Sequence, residues 1–291
     1  MVPRISVVLP TYKREKELLN VLEMLKSQTI SDFEVIIADQ SETHSDGFKK
    51  NLEKYLMDKR FRYFCFSPPH ITKAKNKAIS LAKSGIVLTL DDDVSFGSQL
   101  IGAHLNQYLD QKVVAVGGKV INQKDGSEIT GTRQNKMNLL GNFSWVKVDK
   151  ATEVSLVGGG CDLSFRKEVW ERSGGYDENF YGNCAYEDID FCFSLKRFGK
   201  IIYEPKAEVL HLKATGGSRS FGDKLSWFEQ LFANYLYFSL KNYGSFWPIH
   251  ILKHWRAVGR CVVLGGFRGI KVAINGYARG YQIYQQYFIR N

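Results

Sequence analysis

Ile86 to Val94 reads IVLTLDDDV. Five apolar or β-branched residues run without a charge into Asp91, Asp92 and Asp93, and this abrupt change decides the fold. Entered from Ser84-Gly85, the run reads as a strand buried on both faces of a parallel sheet. In open α/β sheets ligands bind beyond the carboxyl ends of the strands, so the three aspartates are expected at a substrate crevice. Adjacent carboxylates repel one another unless something positive holds them. A hard divalent cation, which takes oxygen ligands and bridges carboxylate to phosphate, is the expected partner. A solvated acidic turn is the ordinary alternative, and the position at the end of a buried strand argues against it.

Upstream, the same pattern repeats. Ile5 to Leu9 reads as a strand closed by Pro10-Thr11, and Leu18, Leu22 and Leu25 recur at helical spacing. Phe33 to Ala38 is a second strand, a helix near Phe48 to Leu56 follows, and Phe61 to Phe66 is a third strand. A helix from about Thr72 to Lys83 then delivers the chain to Ile86. Alternating strands and helices predict an α/β fold with a mostly parallel, Rossmann-like sheet flanked by helices. Pro10-Thr11-Tyr12 and Asp39 follow strands on the edge shared with the aspartates. Asp39 is suited to accept hydrogen bonds from a base or a ribose, and equally to cap a helix. Neither GxGxxG nor GxxxxGK[ST] follows the first strand, which excludes the usual dehydrogenase and P-loop phosphate cradles.

Downstream, Val113 to Val120 reads as a strand, and the stretch to Leu156 as polar and irregular. Gly158-Gly159-Gly160 allows close approach of backbone to a ligand, or a bulge or hinge. After a short helix, Gly174-Gly175-Tyr176-Asp177 forms a turn. Glu187, Asp188 and Asp190 head a helix running to Phe198, where they suit the helix dipole, and a carboxylate there is also well placed as a general base. Lys200 to Glu204 reads as a strand broken by Pro205, with His211 soon after. The segment KATGGSR that follows is polar, basic and glycine-rich, as a mobile substrate loop is.

At 291 residues, 44% hydrophobic and 24% charged, the chain can bury a full core. Its five cysteines show no CxxC spacing, so neither a disulfide framework nor a zinc site is expected, and reduced thiols point to a cytoplasmic setting. The opening MVPRISVVLPTYKR has no apolar segment suited to a signal peptide, and no run reaches the roughly 18 apolar residues of a membrane span.

With these residues in view, the chain resembles the family-2, inverting glycosyltransferases of the GT-A fold, from Ile5 to about His211. The resemblance rests on ordered motifs: SVVLPTYKR, EVIIADQS, KAKNKAISLAKSGIVLTLDDDV, GGGCDLSFRKEVWERSGGYDENF and YEDIDFCFSLKRFG. It implies transfer of a sugar from a nucleotide-diphospho-sugar (UDP-, GDP- or dTDP-linked) to a hydroxyl of a saccharide or lipid-linked acceptor, in envelope polysaccharide or glycolipid synthesis. Pro10, Thr11, Tyr12 and Asp39 would then line the nucleotide pocket, and Lys75, standing where relatives often carry arginine, would touch the nucleotide. The aspartates match the DxD region: Asp91 and Asp92 toward ribose and diphosphate, in either order, and Asp93 toward Mg²⁺ or Mn²⁺, with His211 as a further metal ligand. Asp188 matches the catalytic base, and Gly159, Gly160, Asp162 and Glu187 are expected near the acceptor or donor sugar. A noncatalytic nucleotide-sugar-binding domain and a retaining transferase on the same fold are the competing readings.

Beyond residue 220 the motifs give way to a basic, aromatic helical extension, 221–291. From Phe221 onward nine basic residues face two acidic ones. Lys253, Arg256, Arg260, Arg268 and Lys271 interleave with apolar residues, as in an interfacial helix on anionic lipid at the inner membrane face. The alternatives are packing on the catalytic domain or on a second subunit. Nucleic acid is not the expected partner, since the aspartates at the sheet edge would repel its phosphates.

Overall fold

The computed structural model describes residues 2–124, 127–130, 134–137, 143–144, 149–157, 160–214, 216–217 and 222–290. The first half alternates as expected: β1 (Ile5–Thr11), α1 (Glu15–Lys26), β2 (Phe33–Asp39), α2 (Asp46–Leu56), β3 (Phe61–Cys65), α3 (Ile71–Ser80) and β4 (Ile86–Leu90). Then come β5 (Val94–Phe96), α4 (Leu100–Gln107), β6 (Val113–Lys124), β7 (Ser127–Thr130), β8 (Gln134–Met137), β9 (Phe143–Ser144), β10 (Thr152–Val154), β11 (Leu156–Val157) and β12 (Asp162–Arg166). The chain ends with α5 (Lys167–Ser173), α6 (Glu187–Lys196), β13 (Lys200–His211), α7 (Lys224–Tyr243), α8 (Trp247–Lys253), α9 (Trp255–Gly265) and α10 (Phe267–Arg290).

The main sheet runs β10-β13-β6-β12-β4-β1-β2-β3. Strands buried on both faces need no sequence alternation, yet their side chains still alternate in space. Ile5, Val7 and Leu9 of β1, with Val35, Ile37, Leu88 and Leu90, pack under Leu18, Leu22, Phe48 and Ile101 of α1, α2 and α4. Val8, Ile36, Ala38 and Val87 point the other way, toward Ala74, Ala78, Val169 and Phe191 of α3, α5 and α6.

Three expectations need correction. β4 lies parallel to β1 on one side but antiparallel to β12 on the other, so the sheet around the aspartates is mixed. Reversal of β12 brings its start, Asp162, beside Leu90 at the end of β4, and Asp91 N–H donates to the Cys161 carbonyl at 3.2 Å. Second, β13 does not stop at Pro205. It pairs with β6 from Lys200 to His211, with a register shift between Glu204 and Glu208 that absorbs the missing proline N–H in a bulge. Third, the stretch after Val120 carries described strands, with β7 on β6 and the small sheet β11-β8-β9.

Candidate active site

The carboxyl ends of β1 and β4 open with the end of β13 onto a cavity of about 530 Å³. Its wall includes Pro10, Thr11 and Tyr12 after β1, Asp91 to Asp93 after β4, Gly160 before β12, and Lys75 of α3. Glu187 and Asp188 of α6 and His211 of β13 complete the residues expected there. Two others are not brought to the wall. Asp39 is fully buried, where it accepts from Tyr63 Oη at 3.0 Å and Ser41 N–H at 2.7 Å and lies 3.1 Å from His44 Nε2. Asp162 is buried against His104, 2.8 Å from its Nε2. Gly159 lies outside the described residues.

The three aspartates separate by direction. Asp92 turns back into the protein, accepting from Thr11 Oγ1 at 2.6 Å and Arg14 Nη1 at 2.7 Å. Burial pushes its carboxyl up to about 7, against the pull of Arg14 and Thr11. Asp91 and Asp93, on either side of it, offer oxygens that lie with a His211 nitrogen within 4.8 Å of one another. The register explains how His211 arrives: β13 pairs antiparallel with β5, setting His211 opposite Val94, and Leu212 N–H donates to the Asp93 carbonyl at 2.9 Å. His211 Nε2 is then 3.2 Å from Asp93 Oδ1. Two carboxylates and an imidazole are a donor set that fits Mg²⁺ or Mn²⁺.

The positive group that the aspartate run demands is Arg14, which sequence reasoning passed over. Its guanidinium reaches Asp92 at 2.7 Å and Asp93 at 3.1 Å, and donates through Nη2 to the carbonyls of Ala214 and Gly216 at 3.0 and 3.2 Å. Burial works against its charge, but Asp92 and Asp93 more than offset that and raise its pKa. The signal was present in the Lys13-Arg14 pair that follows Pro10-Thr11-Tyr12.

Asp188 stands in the first turn of α6. Its Oδ2 accepts from Gly160 N–H at 2.8 Å and its Oδ1 from Ile189 N–H at 2.8 Å. A Cβ added at Gly160 would come 2.7 Å from Asp188 Cβ, so only glycine permits this approach. Lys75, buried over the Tyr176 ring, donates to Glu187 Oε1 at 2.8 Å. Burial pushes Glu187 up to about 7 although Lys75 pulls the other way, and burial opposes the Lys75 charge, which Glu187 more than restores.

A family profile, Glycosyl transferase family 2, matches residues 6–171, more than half of the chain. The chain belongs to glycosyl transferase family 2. Among curated proteins, this family-2 chain is 27% identical over 193 residues to a GalNAc(5)-diNAcBac-PP-undecaprenol beta-1,3-glucosyltransferase of Campylobacter jejuni, covering 63% of this chain and 58% of that protein. It is 32% identical over 92 residues to a chondroitin synthase of Escherichia coli, covering 32% of this chain and 13% of that one. The chain thus matches less than two thirds of either relative's length. Among solved structures, it superposes on GalNAc-T7 with UDP, GalNAc and Mn²⁺ with a TM-score of 0.61 at 14% identity, over 84% of this chain and 52% of that one. For the mannosyltransferase PcManGT of Pyrobaculum calidifontis with GDP-Man and Mn²⁺ the TM-score is 0.58 at 15% identity, over 99% and 86%. These likenesses establish the GT-A fold.

The family-2 site also draws on residues to which the sequence assigned no role. Trp227 of α7 lines the cavity, although the sequence assigns it to the extension. Tyr186, just before α6, lines it too and holds a left-handed backbone with φ 76°. That conformation costs a non-glycine residue about 1–3 kcal/mol and must be held by its surroundings. Here Tyr186 stacks on Phe238 of α7 at 5.5 Å, and its hydroxyl is 3.5 Å from His254 Nε2. Asn183 completes this side of the wall.

Proposed function

We propose that the chain transfers a sugar from a nucleotide-diphospho-sugar to an acceptor hydroxyl, with inversion, in the synthesis of an envelope polysaccharide or glycolipid. The observation that carries this reading is the shared cavity: the Asp91, Asp93 and His211 donor cluster and the Asp188 carboxylate line one cavity. A divalent cation held by Asp91, Asp93 and His211 would neutralise the diphosphate and make it a better leaving group. Arg14 keeps Asp92 and Asp93 compatible as neighbours, and Pro10, Thr11, Tyr12 and Lys75 surround the nucleotide.

Asp188 receives the proton of the acceptor hydroxyl as that oxygen attacks the anomeric carbon, with Gly160 N–H holding the carboxylate in place. General-base help of this kind contributes about 10²- to 10⁴-fold. Two buried polar atoms support an acceptor or donor-sugar subsite beside it. Glu187 Oε2 and Asn183 Nδ2 have no hydrogen-bond partner among the described residues, and both residues line the cavity. Sugar hydroxyls, which donate and accept, fit that complementary pair. A lipid-linked saccharide is the acceptor class we favour, by analogy with the undecaprenol-linked substrate in the name of the Campylobacter relative.

A thermal-shift panel of UDP-, GDP- and dTDP-sugars with Mn²⁺ identifies the donor. With it in hand, Asp188→Asn should abolish transfer while calorimetry finds donor affinity close to that of the parent. A variant that keeps most of its turnover removes Asp188 from the role of base.

A further inference from the structure

We propose that the outer faces of α8, α9 and α10 form a docking surface for an anionic lipid bilayer. This goes beyond the transferase reading and stands without it, since it rests on a different part of the molecule. Of the 17 large hydrophobic residues that stand exposed among the described residues, 12 lie between Trp247 and Ile289, all within α8, α9 and α10. Val263 is 89% exposed and Phe267 92%. Scattered apolar residues on a surface are ordinary; this concentration in three consecutive helices is not.

Helix packing shows that these side chains are not simply turned from a missing core. On α10, Gly269, Ala273, Gly276 and Gly280 form the inner edge, and Gly276 and Gly280 sit so close to the Glu229 and Ala233 carbonyls of α7 that no Cβ would fit. That face is fully used. Phe267, Ile270, Ile274, Tyr281 and Phe288 recur three, four, seven and seven residues apart, which puts them on one stripe away from the glycine edge. On α9, Cys261 and Gly265 face inward, the latter against Leu225, while Trp255, Gly259 and Val263 share the outer face with Arg256 and Arg260 beside them.

Charge identifies the occupant. No aspartate or glutamate occurs after Glu229, whereas Lys253, Arg256, Arg260, Arg268, Lys271 and Arg279 do. Arg279 lies over the Tyr181 ring at 4.2 Å and Arg268 3.9 Å from Asp223, but Arg256, Arg260 and Lys271 stand exposed on these helices, and a second copy would bring them face to face with no carboxylate of α8 to α10 to meet them. Nucleic acid would meet the charge but leave Leu252, Val263 and Ile274 against water. The boundary of an anionic bilayer takes both, with apolar and aromatic side chains at the acyl border and lysines and arginines at the phosphates. Among the described residues no helix is long and apolar enough to cross a membrane, and the three helices are assigned to lie in the interface.

The test is co-sedimentation of the full chain with vesicles of phosphatidylcholine alone and of phosphatidylcholine with phosphatidylglycerol. Binding is expected to the mixed vesicles and should weaken as salt rises. Arg256→Gln with Arg260→Gln should lower the partition coefficient roughly thirtyfold, and Val263→Ser with Phe267→Ser should lower it about as far. Met57→Ser, which changes a residue 85% exposed elsewhere, should leave it unchanged. Failure of the parent to bind mixed vesicles, or equal binding by the Val263/Phe267 variant, overturns the proposal. A lipid-free dimer that dissociates in the Val263/Phe267 variant assigns the surface to a second copy instead.

Discussion

Arg14 shows how much one side chain can decide. Three successive carboxylates tolerate one another here because a buried guanidinium lies against two of them. Removing one partner of a buried ion pair leaves the other charge uncompensated, at a cost of about 3–5 kcal/mol. Arg14→Met should therefore melt well below the parent by calorimetry, and Mn²⁺ should raise its melting temperature more than it raises the parent's. Equal melting of the two proteins would contradict this account. At Gly160 the constraint is space. Gly160→Ala must displace Asp188, and a misplacement near 1 Å can cost about 10²-fold in rate. Turnover should fall by that order while thermal unfolding stays close to that of the parent; unchanged kinetics would show that Asp188 need not sit where it does.

At the scale of elements, the helices beyond α6 hold the start of α6 in place. His254, between α8 and α9, stacks on Tyr235 of α7 at 3.6 Å and lies 3.3 Å from Tyr277 Oη of α10 as well as near Tyr186. Burial pushes its imidazole down to about 4. An unfolded chain takes up that proton near pH 6.5, so between about pH 6.5 and 4 the unfolded state binds more protons than the folded one. His254 thus contributes stability that is complete above pH 6.5 and is lost as pH falls through 4. The melting temperature of His254→Gln should depend less steeply on pH across that window than the parent's, and parallel profiles would refute the assignment. The first four strands and three helices were legible in the sequence because local apolar runs and helical periodicity report burial directly. The reversed β12 was not, since direction within a sheet leaves no trace in a run such as Asp162–Arg166. Pro205 misled for a related reason: a proline ends a strand only where its missing N–H is needed, and a bulge removes the need. Asp91, Asp93, Asp188 and Tyr186 stand inside the ordered motifs and His211 at the end of the resemblance, whereas Trp227 reaches the cavity through tertiary contacts alone.

For the whole molecule, the compositional break at residue 220 is not a break in packing. Tyr237, Phe238 and Tyr243 of α7 form one buried cluster with Phe180 and Cys184. Lys241 bridges Asp177 at 2.6 Å and Asp190 at 2.7 Å, and Gln230 and Asn234 accept from the backbone at Asn183 and Tyr181. A chain cut after residue 220 should lack cooperative thermal unfolding and bind hydrophobic dye, whereas the full chain unfolds in a single transition. A soluble, cooperatively folding 1–220 fragment would show instead that the catalytic half is self-sufficient.

The guanidinium of Arg14 joins three distant stretches of the chain: its own loop after β1, the aspartates after β4, and the carbonyls of Ala214 and Gly216. Loop grafting to change donor preference therefore cannot proceed piece by piece. A transplanted 212–217 segment that presents its carbonyls elsewhere would strand the arginine, and through it Asp92 and Asp93. Any such graft has to move residue 14 and its receptor carbonyls together, as one cassette in three parts.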